Sequence, residues 1–245
     1  MADDETIDRI TRDWQMIQRR RGHRHSTDDL LTGWYAAENG PGASRILDLG
    51  AGIGSVGLLA LWRLPGATLT SIEAQDVSFD LLQRNVELNA LSSRVRTIHG
   101  DLRDFQSDLA SFDLVTASPP YFDPKAGIIP ADSQKAHARF ELRGDVRDYC
   151  TTARRAMTPN ARFVFCFPTV QRDRAHRAIR DASLCLLRSR DVIPRAEVAP
   201  LFTLFACACS TGETAAIVEP PYVVRDEAGA VTELHNRSRA SFGMV

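Results

Sequence analysis

A chain of 245 residues, 44% hydrophobic and 25% charged, has the length and balance of one α/β domain able to bury a core. The net charge of −1 excludes a uniformly basic nucleic-acid-binding protein, and no apolar run nears the roughly 20 residues of a membrane-spanning helix. The acidic start lacks the basic-then-apolar layout of a secretion signal, so a cytoplasmic location, with no membrane partner, is expected. The cysteines (Cys150, Cys166, Cys185, Cys207, Cys209) form no C-x-x-C pair and have no matching histidine spacing, which argues against bound metal or a disulfide framework.

In chain order, residues 5–20 predict a short amphipathic helix, and a basic run follows: Arg19, Arg20, Arg21, His23, Arg24, His25. A second helix is expected near 28–37, broken at 39–42 by Asn-Gly-Pro-Gly. Strands and helices then alternate. Residues 44–49 predict a strand, 55–63 a helix, 68–72 a strand and 77–89 a helix. Residues 95–98 and 112–117 predict strands, 149–157 a helix, 161–167 a strand and 172–187 a helix. The long apolar run 201–209 predicts a central strand, with short strands at 216–218 and 222–224. The long polar segment 123–145 reads as a mobile loop over substrate, where Lys125, Lys135, His137 and Arg139 would meet phosphate. Alternation followed by a strand-rich end implies a mostly parallel sheet with a late antiparallel portion.

Residues 46–54 read Ile-Leu-Asp-Leu-Gly-Ala-Gly-Ile-Gly, a glycine-rich turn between strand and helix. Only glycine lets a backbone turn this sharply while a ligand approaches it closely. Alone, the turn fits structural punctuation or a dinucleotide site, but the spacing is G-x-G-x-G in place of G-x-G-x-x-G. Asp48 precedes Gly50, Gly52 and Gly54; a carboxylate there repels pyrophosphate and suits the ammonium of an amino acid. Glu73 ends the second strand of the alternation, where it would accept hydrogen bonds from both hydroxyls of a ribose. Asp101 follows the third strand, as a cap for 102–108 or as a partner for an adenine amino group. Together these positions suit S-adenosylmethionine (SAM) better than a dinucleotide.

Ser118-Pro119-Pro120-Tyr121, followed by Phe122, ends the fourth strand. Proline fixes φ and biases its predecessor toward an extended form, which can hold the Pro119 carbonyl outward. An exocyclic amine on a base is a poor nucleophile because its lone pair is delocalised into the ring. Two acceptors, the Ser118 hydroxyl and the Pro119 carbonyl, would draw the nitrogen toward tetrahedral geometry, while Tyr121 and Phe122 stack on the base.

In order and spacing, residues 48–54, Glu73, Asp101 and 118–121 resemble the motifs of class I SAM-dependent amino-methyltransferases. More narrowly, the chain resembles the bacterial valine-tRNA adenine-N6 methyltransferase family. That family has a leading segment like residues 22–33 (GHRHSTDDLLTG), an NPPYF motif, and a tail like 203–213 leading into 221–225; the likeness covers nearly the full chain. It implies a Rossmann-like α/β fold with a seven-stranded, mostly parallel sheet and antiparallel C-terminal strand(s). Residues 1–43 would form a helical, basic segment packed on a methyltransferase domain spanning 44–245, in a monomer. It also implies that the glycine turn holds the methionine part of SAM, Glu73 the ribose and Asp101 the adenine. Ser26, Asp28 and Asp29 would lie against the cofactor cavity, and the tetrapeptide would hold the target amine. Ser118 departs from the family asparagine and resembles the SPPY form of cytosine-N4 methyltransferases.

The expected activity is methylation at N6 of an unpaired adenine in tRNA, with Arg20, Arg21 and Arg24 on phosphate and Arg237 and Arg239 adding to them. Two other readings stay open. One is methylation of a protein glutamine or a small molecule; the other is a SAM- or RNA-binding protein without turnover. A basic surface bordering the cavity would favour RNA, and a narrow neutral cavity the alternatives.

Overall fold

The computed structural model describes residues 2–106, 111–125, 127–209 and 215–244. The chain opens with an antiparallel hairpin, β1 (Glu5–Arg9) and β2 (Gln15–Arg19), where a helix was expected. The spacing of Ile7, Ile10, Trp14 and Ile17 fits a helix, but local turn chemistry decides otherwise: the Thr11 hydroxyl accepts from the amides of Asp13 and Trp14 at 3.3 and 3.0 Å. Helix α1 (Thr27–Asn39) follows, with a capping box formed by Ser26 and Asp29.

The alternating part supplies β3 (Arg45–Leu49), α2 (Ser55–Arg63), β4 (Thr68–Glu73), α3 (Asp76–Leu88), β5 (Val95–His99) and β6 (Phe112–Ala117). Residues 102–104 form a turn in place of the expected helix, whose end (107–108) lies outside the described residues. The segment 123–145 contains α4 (Ser133–Arg139), capped by Asp132, and a bridge between Phe122 and Phe140. The structured part of this polar stretch is therefore more than a loop.

Helix α5 (Val146–Ala156), β7 (Met157–Pro168), α6 (Arg172–Asp181), β8 (Leu184–Ile193) and β9 (Phe202–Cys209) complete the main sheet. The helix expected over 172–187 ends early. Ser183 adopts a left-handed φ of 55°, and the chain turns there into β8. Two-residue strands β10 (Ile217–Val218) and β11 (Tyr222–Val223) pair with β8, and α7 (Glu233–Ala240) closes the chain. The tail expected over 203–213 is strand β9 as far as Cys209; 210–213 lie outside the described residues.

The strand order is β10-β8-β9-β7-β6-β3-β4-β5, with β11 also on β8. The expected seven-stranded sheet is present, but its seventh member is β8, part of which was expected as helix; the two short strands expected at 216–218 and 222–224 lengthen one edge beyond it. All pairs are parallel except β9 with β7 and with β8. Every residue of β9 is buried, as its unbroken apolar run requires. Strand order reverses between β3 and β6, so their carboxyl ends open a crevice where open α/β sheets bind ligands.

Asn85 of α3 ties the hairpin to this crevice. Its Oδ1 accepts from the Ile17 amide at 2.6 Å, and its Nδ2 donates to the carbonyls of Ile17 at 3.1 Å and Ile53 at 2.9 Å. The Arg84 guanidinium adds two hydrogen bonds of 2.7 Å to Glu5.

Candidate active site

The glycine turn occupies the end of β3. Gly50, Gly52 and Gly54 have φ of 61°, 57° and 95°, the left-handed region that side chains disfavour. A Cβ on Gly50 would stand 2.4 Å from the Tyr149 hydroxyl, whereas one on Gly52 would meet nothing within 4 Å. Gly50 thus fits against protein, and Gly52 leaves open space beside the cavity. Glu73 clamps the turn from the end of β4: Oε2 accepts from the Gly52 amide at 2.8 Å and Oε1 from the Gln75 amide at 2.7 Å. Burial pushes its carboxyl up, and these amide donors oppose the shift.

Asp48 lies deeper, 1% exposed. Its Oδ1 accepts from Thr116 Oγ1 at 2.7 Å and its Oδ2 from the Gly57 amide at 3.0 Å. Those bonds fasten β3 to β6 and to the first turn of α2. Burial pushes its pKa up to about 7. Asp101, at the far wall, is paired with Arg103 at 2.6 Å, which holds its carboxyl below the ordinary range.

These residues line one cavity of ≈ 680 Å³, together with Arg20, Arg24, Ser26, Asp28, Asp29, Ser118, Pro119, Pro120, Tyr121 and Phe122. That volume is ample for a small-molecule cofactor. Gly54 stands behind it, against Leu82, and the exposed Arg21 stands outside its lining. Arg24 reaches the cavity but is already bonded to Asp8, at 2.9 Å, and to the Thr6 hydroxyl. Arg237 and Arg239 are on α7, away from the lining. Lys135, His137 and Arg139, carried by α4, complete a basic rim with Arg20 and Arg24. The lining also holds Gln75, Arg143 and Tyr149, which no local motif marks, because tertiary packing alone brings them there.

The tetrapeptide is held from both sides. The amides of Tyr121 and Phe122 donate to the Arg139 carbonyl at 3.0 and 2.9 Å, and Gln171 Nε2 donates to the Tyr121 carbonyl at 2.7 Å. The Tyr121 hydroxyl donates to Asp28 Oδ2 at 3.1 Å and lies 3.2 Å from Cys166 Sγ, which is 3.4 Å from Ser118 Oγ. Burial pushes the Cys166 pKa up to about 12, so it stays a thiol. With the thiol proton on Tyr121 Oη, Ser118 can donate to sulfur and keep its own oxygen as an acceptor. Phe122 is 47% exposed at the mouth.

The donor set fits SAM. An open glycine cradle, a strand-end carboxylate and further acids suit a ligand carrying an amino acid, ribose hydroxyls and a positive charge. The fold and this site define a class I SAM-dependent methyltransferase. Residues 34–143 match the family model described as "Methyltransferase small domain". The tRNA1(Val) (adenine(37)-N6)-methyltransferase of Shewanella sediminis is 30% identical over 201 residues, 78% of each chain. The protein of the same name from a Flavobacteriaceae bacterium is 24% identical over 92% of this chain and 93% of its own. In fold, a predicted O-methyltransferase from Agrobacterium tumefaciens superposes with a TM-score of 0.68 at 17% identity, over 89% of this chain and 98% of that one. The chain belongs to the tRNA1(Val) (adenine(37)-N6)-methyltransferase family. Among the described residues no cluster could hold a metal ion, and no helix is long and apolar enough to cross a membrane.

Proposed function

We propose that this enzyme methylates N6 of an unpaired adenine in tRNA. The observation that carries the proposal is a single cavity with an acidic floor, the Ser118–Phe122 loop in its wall and a basic rim of Arg20, Lys135, His137 and Arg139. An acidic floor suits the cofactor and repels phosphate, whereas a basic rim draws a polyanion to the mouth. That charge layout supports RNA over a glutamine side chain or a neutral metabolite. The names of the relatives point the same way.

Bound SAM supplies an electrophilic methyl group. The chain's own residues bind and orient. The amides of the glycine turn and the carboxylates of Glu73 and Asp101 would hold the cofactor, and Asp48 braces the turn from beneath. Ser118 Oγ and the Pro119 carbonyl would accept the two N–H groups of the target amine, turning its lone pair toward the cavity. Tyr121 and the exposed Phe122 would hold the base after it leaves its stack, which costs least for an unpaired loop nucleotide.

The test is a competition for labelled methyl among unmodified tRNA, ribosomal RNA, total protein and a small-metabolite fraction, all offered together. Label in tRNA is the expected outcome. Label confined to protein glutamine or to metabolites would overturn the proposal.

A further inference from the structure

The family asparagine offers an amide carbonyl to the target amine, and Ser118 is a shorter group that already touches Cys166. The structure brings a second acceptor to the same place from a distant part of the chain. Asp28, in the first turn of α1, lines the cavity with the Ser118–Phe122 loop and accepts the Tyr121 hydroxyl on Oδ2 and the Ser26 hydroxyl on Oδ1. Each carboxylate oxygen has more than one acceptor position, so these two hydroxyls leave capacity unused.

The other cavity carboxylates are committed differently. Asp48 is spent on Thr116 and Gly57, Glu73 on the amides of Gly52 and Gln75, and Asp101 on Arg103. Asp29 faces His25 at 3.7 Å. Asp28 has no ion pair among the described residues, and it is the one of these acids bonded directly to the tetrapeptide.

We infer that Asp28 shares with Ser118 one N–H of the target amine, adding a carboxylate acceptor beside the short hydroxyl. The inference rests on the proposed adenine substrate and gives Asp28 to the base, where the family resemblance had set it against the cofactor. It accounts for the link between α1 and the loop: Tyr121, which would hold the base, is bonded to the group that reads the amine on that base. A half-buried carboxylate, partly shielded from water, gains from such a charge-assisted donor.

The test is equilibrium binding without turnover. An RNA stem-loop with one unpaired adenosine is compared with the same stem-loop carrying purine riboside, which lacks the 6-amino group, both in saturating S-adenosylhomocysteine. The wild-type protein is expected to prefer adenosine by at least about tenfold, the scale of one hydrogen bond to a charged acceptor, since the analogue lacks both N–H groups. Asp28→Asn should narrow the preference and Asp28→Ala should narrow it further, leaving the part that Ser118 and the Pro119 carbonyl supply. S-adenosylhomocysteine affinity and the unfolding temperature of the near-isosteric Asp28→Asn should stay near wild type. Full preference in both variants would overturn the inference alone. Loss of S-adenosylhomocysteine affinity with the preference intact would return Asp28 to the cofactor and overturn it too. A wild-type protein that binds both stem-loops equally would overturn the adenine-amine reading itself.

Discussion

Glu73 Oε2 accepts the Gly52 amide proton at 2.8 Å, so the residue that ends β4 sets the shape of the turn that ends β3. The same carboxylate would receive the ribose hydroxyls, which makes it both a support and a ligand. Glu73→Gln keeps the volume but can accept at only one of its two polar ends. One amide, of Gly52 or Gln75, then loses its partner in a site only 9% exposed. The variant should lose about 1–3 kcal/mol of stability. Its affinity for SAM should fall at least about tenfold, the equivalent of a single lost hydrogen bond. Calorimetric titration and thermal unfolding measure the two effects.

Gly50 and Gly52 share a left-handed φ but differ in what surrounds them. Gly50→Ala would drive a methyl into the Tyr149 hydroxyl at 2.4 Å, so it should destabilise the fold by more than about 2 kcal/mol, beyond the left-handed penalty alone. Gly52→Ala meets no atom and should cost only about 1–2 kcal/mol, the backbone penalty. Its methyl would project into open space, so SAM affinity should fall far more than stability. Unfolding midpoints beside titrations separate the two cases.

Asp48 predicts a pH dependence in the protein free of cofactor. Its folded pKa of about 7 stands above the unfolded value of about 3.9. Between those values the folded state binds a proton that the unfolded state does not, so this group's contribution to stability falls as pH rises from about 4 to about 7. Asp48→Asn can accept from Gly57 through its carbonyl and donate to Thr116 through its amide, and it removes the titration. The variant should therefore gain on the wild type as pH rises across that window. Denaturant unfolding at several pH values is the measurement; parallel curves would refute it.

Asn85 joins the hairpin, α3 and the glycine turn through three hydrogen bonds. Asn85→Ala leaves the Ile17 amide and carbonyl and the Ile53 carbonyl without these partners, and should cost about 2–4 kcal/mol. Hydrogen exchange should show faster exchange over residues 15–19, ahead of the sheet.

Much of the sheet was legible because its signals are local. The apolar runs of β3, β6 and β9 and the glycines of the turn state their structure in adjacent residues. The misread elements each lack such a signal. The hairpin hides behind helical spacing, and only the Thr11 hydroxyl bonds reveal its turn. The α6–β8 boundary has no glycine or proline; Ser183 takes the left-handed position, so the helical spacing runs on past the end of the helix. In the site, the acids and the tetrapeptide were legible from spacing. The contacts that decide their roles, Thr116 on Asp48 and Tyr121 on Asp28, span 68 and 93 residues and have no sequence signature.

The most direct measurement is transfer of isotopically labelled methyl from SAM to tRNA lacking its own modification, followed by digestion and nucleoside mass analysis. The account predicts label in N6-methyladenosine. Label on a ring nitrogen, a ring carbon or another nucleoside, or unlabelled tRNA from protein that binds SAM normally, would contradict it.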